Sequence, residues 1–194
     1  MDLPDVLPGA ASPPPAVRIE RRSLVVLAGL PGAGKSTVLG KLHGATDLAA
    51  LDSEQARARL RRVVPAALPY RYYRPLVHLM HRTRIAWYCL WTTDPVVAHE
   101  PATRATTRAM LLLFGRLTRR QLVLVWLHAD PREALAGQRA RGRLIRPRSF
   151  LRHVQRADRM HRRLRGGDLP RGWQRVYLFT RDQVDGGLRL DVAG

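Results

Sequence analysis

The sequence predicts an α/β fold: a doubly wound parallel sheet of about five strands with helices on both faces. Three observations predict it. Short apolar runs recur at 23–28, 48–51, 95–98, 121–127 and 175–179. Segments of helical period separate them, and the connections are short. Strands buried on both faces of a parallel sheet read as continuous apolar runs, and the βαβ crossover needs a helix between each pair.

Residues 1–20 carry Pro4, Pro8, Pro13, Pro14 and Pro15 among small residues and read as a disordered or extended leader, followed by one domain over 21–194. The run 23–28 is the first strand. A helix is expected from about Gly34 to about His43, closed by Gly44. After the weaker strand at 48–51, Ser53 is placed as the N-cap of a helix reaching about Val64. A long helix over 70–91 carries Leu76, Met80, Thr83, Trp87 and Trp91 at spacings of three and four, which reads as its core face. The third strand lies at 95–98 and another helix at 103–117. The run 121–127 is apolar at nearly every position, as a central strand must be. Asp130-Pro131 then caps a helix with Pro at its first position. An arginine-rich stretch over 139–148, a helix from Ser149 (with Arg152, Arg156, Arg159, Arg162 and Arg163) and a strand at 175–179 complete the reading.

Length and composition narrow the class. The 194 residues suit one domain, and 45% hydrophobic with 25% charged residues is an ordinary globular balance. No apolar run is long enough for a membrane span, and the first residues lack a secretory signal's apolar stretch, so the expected location is cytoplasmic with no membrane partner. A single cysteine, Cys89, excludes an internal disulfide. Net charge is +19, yet only two of the 34 basic residues are lysines, Lys35 and Lys41. Abundant Ala, Gly, Pro and Leu accompany the arginines, a composition that GC-rich coding also produces. The charge therefore admits a nucleic-acid partner without favouring one.

One of those two lysines sits in the strongest motif. Gly29-Leu-Pro-Gly-Ala-Gly34-Lys35-Ser36 matches G-x-x-x-x-G-K-[ST], between an expected strand and an expected helix. Glycines let backbone N–H groups close around a phosphate, and the helix N-terminus adds partial positive charge. This assigns a P-loop nucleotide-binding fold, with Gly29, Pro31, Gly32, Ala33, Gly34, Lys35, Ser36 and Thr37 as candidate contacts for ATP. Lys35 is placed on the β- and γ-oxygens and the Ser36 hydroxyl on Mg²⁺. No N-K-x-D guanine-reading motif is visible, which favours ATP over GTP.

Ligands bind at the carboxyl ends of parallel strands, so acids there are the candidates for proton and metal chemistry. Asp52 and Glu54 follow the second strand and are alternatives for the carboxylate that takes the acceptor's proton. Glu100, after His99, is placed on the metal side. Acids at a helix start also arise from the dipole alone, and His99 is left unassigned.

These residues resemble the P-loop kinases related to polynucleotide 5′-kinase, zeta toxin, chloramphenicol phosphotransferase and gluconate kinase, among AAA-type ATP-binding proteins. The resemblance covers about residues 23–182. It implies a D-x-x-R acid after the second strand, which Glu54-Gln-Ala-Arg57 resembles with Glu in place of Asp, and an Asp-containing turn after the third, where His99-Glu100-Pro-Ala-Thr103 stands. It also implies an arginine-bearing lid, placed at 137–150, in which Arg139 and Arg143, one turn apart, steady the transferring phosphoryl group. Acceptor recognition falls to about 57–93, where Arg71, Tyr72, Tyr73, Arg74, His78 and His81 suit a phosphate-bearing or aromatic acceptor. The expected activity is an ATP- and Mg²⁺-dependent kinase acting on a hydroxyl, a small-molecule acceptor being favoured. A nucleotide-dependent nucleic-acid-binding or regulatory ATPase module, a polynucleotide 5′-kinase, and a protein that binds ATP without turnover are the alternatives.

Overall fold

The structure is a computed structural model that describes residues 13–44, 47–140, 142 and 145–193. Five strands form the central sheet: β2 (Ser23–Gly29), β4 (Ala49–Asp52), β5 (Val96–His99), β6 (Gln121–His128) and β7 (Arg175–Thr180). They lie in the order β4-β5-β2-β6-β7, every pair parallel. All seven residues of β2 are buried, as its central place requires.

Alternate side chains divide the core. Val25, Leu27, Val123 and Val125 face one layer with Val38, Ala134, Leu188 and Leu190. Leu24, Val26, Leu122 and Trp126 face the other with Ile85, Leu111, Met160 and Leu164. The second layer is helical: α3 (Tyr70–Trp91), α4 (Ala105–Leu117) and α6 (Pro147–Arg165). On the first face lie α1 (Lys35–Gly40), α5 (Pro131–Ala140) and a small parallel sheet that sequence reading did not foresee. That sheet joins β1 (Ala16–Glu20), β8 (Leu188–Ala193) and β3 (Leu42–His43) in the order β1-β8-β3. The remaining elements are α2 (Ser53–Arg61) and a short 3-10 turn at Asp182–Val184.

Two boundaries move as a result. The leader expected over 1–20 falls mostly outside the described residues, but its end forms β1, because Val17 and Ile19 are fully buried against the main sheet. The first helix ends at Gly40 rather than His43, since Leu42 and His43 pair with Leu188 and Arg189 instead.

The long helix has the expected length but a different buried face. Leu76, Trp87 and Trp91 are exposed (47%, 58% and 72%), while Tyr73, Val77, His81, Ile85 and Cys89 are buried. The buried set runs at a strict spacing of four and includes a histidine, which a hydrophobicity pattern discounts. Asp52, not Ser53, is the N-cap of α2, its Oδ1 accepting from the Glu54 N–H at 3.1 Å. Asp130 caps α5 as expected, accepting from the Arg132 N–H at 2.7 Å.

Arg120 closes the bottom of the molecule. It is 2% exposed, and its guanidinium donates to the carbonyls of Cys89 (3.0 Å), Ser23 (3.1 Å), Asp94 (2.9 Å), Tyr88 (3.3 Å) and Thr92. One side chain thereby ties the end of α3 to the start of β2. No described helix is long and apolar enough to cross a membrane.

Candidate functional site

At the carboxyl end of β2 the chain turns through Leu30-Pro-Gly-Ala-Gly34 before α1. Gly34, in the left-handed region at φ 93°, is the N-cap of α1. Gly32 is required for a second reason. A Cβ built there would lie 2.0 Å from the Ala134 carbonyl oxygen, so the loop is pressed onto α5. Gly137 answers from the other side, where a Cβ would lie 2.7 Å from the Gly32 oxygen. Gln138, buried between them, donates from Nε2 to the Pro31 carbonyl at 2.9 Å and accepts from the Ile145 N–H at 3.1 Å. The phosphate loop and the start of the lid segment are thus one packed unit.

Within the loop, Ala33 N–H donates to Leu30 O at 3.0 Å and Thr37 N–H to Gly34 O at 2.9 Å. Gly29 N–H donates to Pro101 O at 3.0 Å, which ties the loop to the turn after β5. Lys35 is 2% exposed, its ammonium donating to the carbonyls of Gly29 (3.1 Å) and Leu30 (2.8 Å).

Three acidic or imidazole groups gather near this loop because β5 ends beside β2 and β4 ends beside β5. Asp52 pairs in register with His99 across the sheet, and the two side chains meet, His99 Nδ1 lying 2.9 Å from Asp52 Oδ2. A carboxylate only accepts, so His99 carries its proton on Nδ1 here. Ser36 Oγ lies 3.4 Å from the same nitrogen. Burial raises the Asp52 carboxyl, but the hydrogen bond and charge of His99, the Glu54 N–H and the Ser36 hydroxyl outweigh it. The net effect holds Asp52 well below the usual carboxylate range. Behind His99, His81 is fully buried, and its Nε2 donates to the His99 carbonyl at 3.2 Å.

Glu100 is 4% exposed and pairs with Arg82, Nε to Oε1 at 3.4 Å. Burial pushes its carboxyl up, and the charges of Arg82 and Lys35 oppose that. Glu54 meets this group through its backbone, its N–H donating to Asp52 Oδ1 at 3.1 Å. Its carboxylate is half-exposed at the start of α2 and paired with Arg57 at 3.8 Å. Of the two alternatives, Asp52 is the carboxylate that joins Ser36 at the sheet edge.

The expected lid residues are reached only in part. Arg139 is exposed on the last turn of α5, and Arg143 lies outside the described residues. In the expected acceptor segment, Tyr73 and His81 turn out to be core, whereas Arg74 is exposed and His78 half-buried. Sequence reading left out His99, Gln138 and His153. The signal for His99 was its place at the end of an apolar strand, directly before Glu100.

The donor set fits Mg²⁺, a hard cation that prefers oxygen and usually completes its shell with water and substrate phosphates. Ser36, Asp52 and Glu100 offer a hydroxyl and two carboxylates along one edge. Among the described residues no three His, Cys, Asp or Glu side chains could enclose a metal by themselves.

Known proteins share the overall fold. Residues 24–166 match a family model described as an AAA domain. A solved structure of the PezAT toxin–antitoxin system of Streptococcus pneumoniae is similar at TM-score 0.55 and 13% identity, covering 89% of this chain and 72% of that one. The tunicamycin resistance protein of Deinococcus radiodurans gives 0.49 and 13%, over 81% and 86%. A gluconokinase from Sinorhizobium meliloti 1021 gives 0.41 and 20%, over 83% and 83%. At such identities the likeness is one of fold. No curated protein sequence matches the chain. With the family model spanning most of the chain and the phosphate loop seated between β2 and α1, this protein belongs to the AAA domain family and has a P-loop α/β fold.

Proposed function

We propose that this protein is a kinase that moves the γ-phosphoryl group of ATP onto a hydroxyl of a small-molecule acceptor. One observation carries the reading. The phosphate loop's Lys35 and Ser36 share the sheet edge with an ionised Asp52, with His99 and with Glu100. Phosphoryl transfer needs little covalent chemistry from a protein; it needs positioning and charge.

Backbone N–H groups of Gly32, Gly34, Lys35 and Ser36 hold the β- and γ-phosphates, and Lys35 exchanges its loop carbonyls for phosphate oxygens. Ser36, with Glu100 on the water side, would hold Mg²⁺, which would supply charge neutralisation for the transferring phosphoryl group. Asp52 takes the proton of the acceptor hydroxyl as that oxygen bonds to the γ-phosphorus and the β–γ bridging oxygen departs on ADP. His99 keeps Asp52 ionised and aimed. Glu54 serves the start of α2 rather than the chemistry. Arg139 and Arg143 supply cationic cover from the lid side.

Incubating purified protein with γ-labelled ATP, Mg²⁺ and a fractionated cell extract tests the reading, wild type beside Lys35→Ala. Label in a small-molecule fraction with wild type alone is the expected result. Label in no fraction, while ATP still binds, would sink it. The net charge of +19 admits, without favouring, a second reading, a nucleotide-dependent nucleic-acid-binding module. In that case nucleic-acid affinity changes with bound nucleotide and falls steeply with salt.

A further inference from the structure

Beside the phosphate loop, three elements bring cations to one place. From α3 comes Arg74, whose Nε donates to His78 Nε2 at 3.3 Å, with Arg82 one turn further on. From α6 come His153 and Arg156. Between them lies the turn after β5, where Thr103 Oγ1 meets His153 Nδ1 at 2.8 Å and Arg104 follows at the N-cap of α4.

The turn is built and held. Ala102 adopts φ 48°, a left-handed conformation unusual for a residue with a Cβ. Arg108 Nη1 donates to its carbonyl at 2.7 Å. Thr103 is 4% exposed. Backbone strain of this kind persists where surrounding contacts over-determine it, and it gathers at working sites.

The charges reach one another. After burial, the His153 imidazole feels Arg104, Arg156, Arg74 and Lys35, and is pushed down to about 4. His78 is lowered by burial and then by Arg74, Arg82 and Arg104. Both histidines therefore stay neutral near pH 7. The nearby carboxylate, Glu100, is already engaged by Arg82. Arg74, Arg104 and Arg156, which form no ion pair with an acid among the described residues, carry a repulsion that a bound anion would relieve.

We propose that Arg74, Arg104 and Arg156, with Thr103, form a subsite for an anionic group of the acceptor, a phosphate or similar oxyanion carried by the small molecule whose hydroxyl is phosphorylated. The proposal rests on the phosphoryl-transfer reading above. Guanidinium groups suit it because each offers paired N–H donors in the plane of an oxyanion. Their arrangement favours one small anionic molecule over a nucleic-acid strand. They come from three elements around the Thr103–His153 contact, whereas strand binders line a groove with cations and stacking aromatics.

The test is calorimetric titration of the full chain with inorganic phosphate, in Mg²⁺ and saturating non-hydrolysable ATP analogue, so that the phosphate loop is already filled. Saturable binding of one phosphate per chain is expected, weakened about tenfold or more in Arg74→Gln and in Arg104→Gln, as loss of a charge-assisted contact requires. Affinity for the ATP analogue should be retained in both variants, which also shows that they fold. If phosphate binds only when the analogue is absent, or equally well to both variants, the subsite is refuted. A second arm uses a single-stranded oligodeoxynucleotide with an unphosphorylated end. Affinity that rises with its length would overturn the small-molecule assignment. The two readings fail separately. A chain that binds no analogue contradicts the phosphoryl-transfer reading, whereas one that binds analogue but no second phosphate contradicts this subsite alone.

Discussion

His99 Nδ1 lies 2.9 Å from Asp52 Oδ2, joining the ends of two adjacent strands directly above the phosphate loop. Both side chains are largely buried, and the pair holds Asp52 ionised against the cost of burial. The proposed role of Asp52 as proton acceptor rests on its place beside the Ser36 hydroxyl and on its ionised state.

Replacing Asp52 by Asn should therefore cut the transfer rate by about 10²- to 10⁴-fold, the usual worth of a positioned general base. ATP affinity should stay nearly unchanged. Glu54→Gln should alter the rate by only about threefold or less, because that carboxylate is half-exposed and pairs with Arg57 on its own helix. Steady-state rates of the two variants side by side decide the matter. A larger loss in Glu54→Gln would reverse the assignment.

The approach of the loop to α5 gives a steric prediction. In Gly137→Ala the new methyl would meet the Gly32 carbonyl oxygen at 2.7 Å, a backbone atom that cannot swing aside. A loss of about 1–3 kcal/mol of stability is expected, together with weaker ATP binding, as overpacking at this point displaces the loop. Gly40→Ala meets nothing within 4 Å and should instead stabilise the helix by about 0.5–1 kcal/mol. Thermal melting with and without nucleotide separates these cases.

Arg120 should prove structural. Truncation to Ala strands the five carbonyls that it serves, and about 3 kcal/mol or more should be lost. Lysine should rescue this only in part, since a point charge cannot reproduce the planar fork. Nucleotide affinity at temperatures where the variant is folded should match wild type.

His81 sets a pH dependence. Burial first, then the His99 charge, pushes its imidazole down to about 4, so the unfolded chain binds a proton more readily than the folded one. Its contribution is complete above the ordinary histidine value and is lost as pH falls from about 6.5 towards 4. Stability should decline by on the order of 2 kcal/mol between pH 7 and pH 5 from this group. Denaturant melts of His81→Gln, whose amide can still donate to the His99 carbonyl, should show a flatter decline.

Much of the fold was legible because its signals are local. The apolar runs that became β2, β5 and β6 announce buried parallel strands, and the spacing of Gly29, Gly34, Lys35 and Ser36 announces the loop between strand and helix. The small sheet was hidden because β1, β3 and β8 are short and come from distant parts of the chain, so that only the tertiary fold brings them together. For α3, the pattern at 76, 80, 83, 87 and 91 read as core because hydrophobicity alone was counted. The buried stripe instead passes through His81, whose hydrogen bond to the His99 carbonyl offsets its polarity. The candidate site was legible as far as Lys35, Ser36, Asp52 and Glu100. His99, Gln138 and His153 were not, since each acquires its role from a partner between seven and 107 residues away.

The most direct measurement is single-turnover transfer from γ-labelled ATP to the acceptor fraction, comparing wild type, Lys35→Ala and Asp52→Asn. The account predicts that wild type transfers label, that Lys35→Ala loses both ATP binding and transfer, and that Asp52→Asn binds ATP but transfers it far more slowly. Transfer at the wild-type rate by Asp52→Asn or by Lys35→Ala would contradict it.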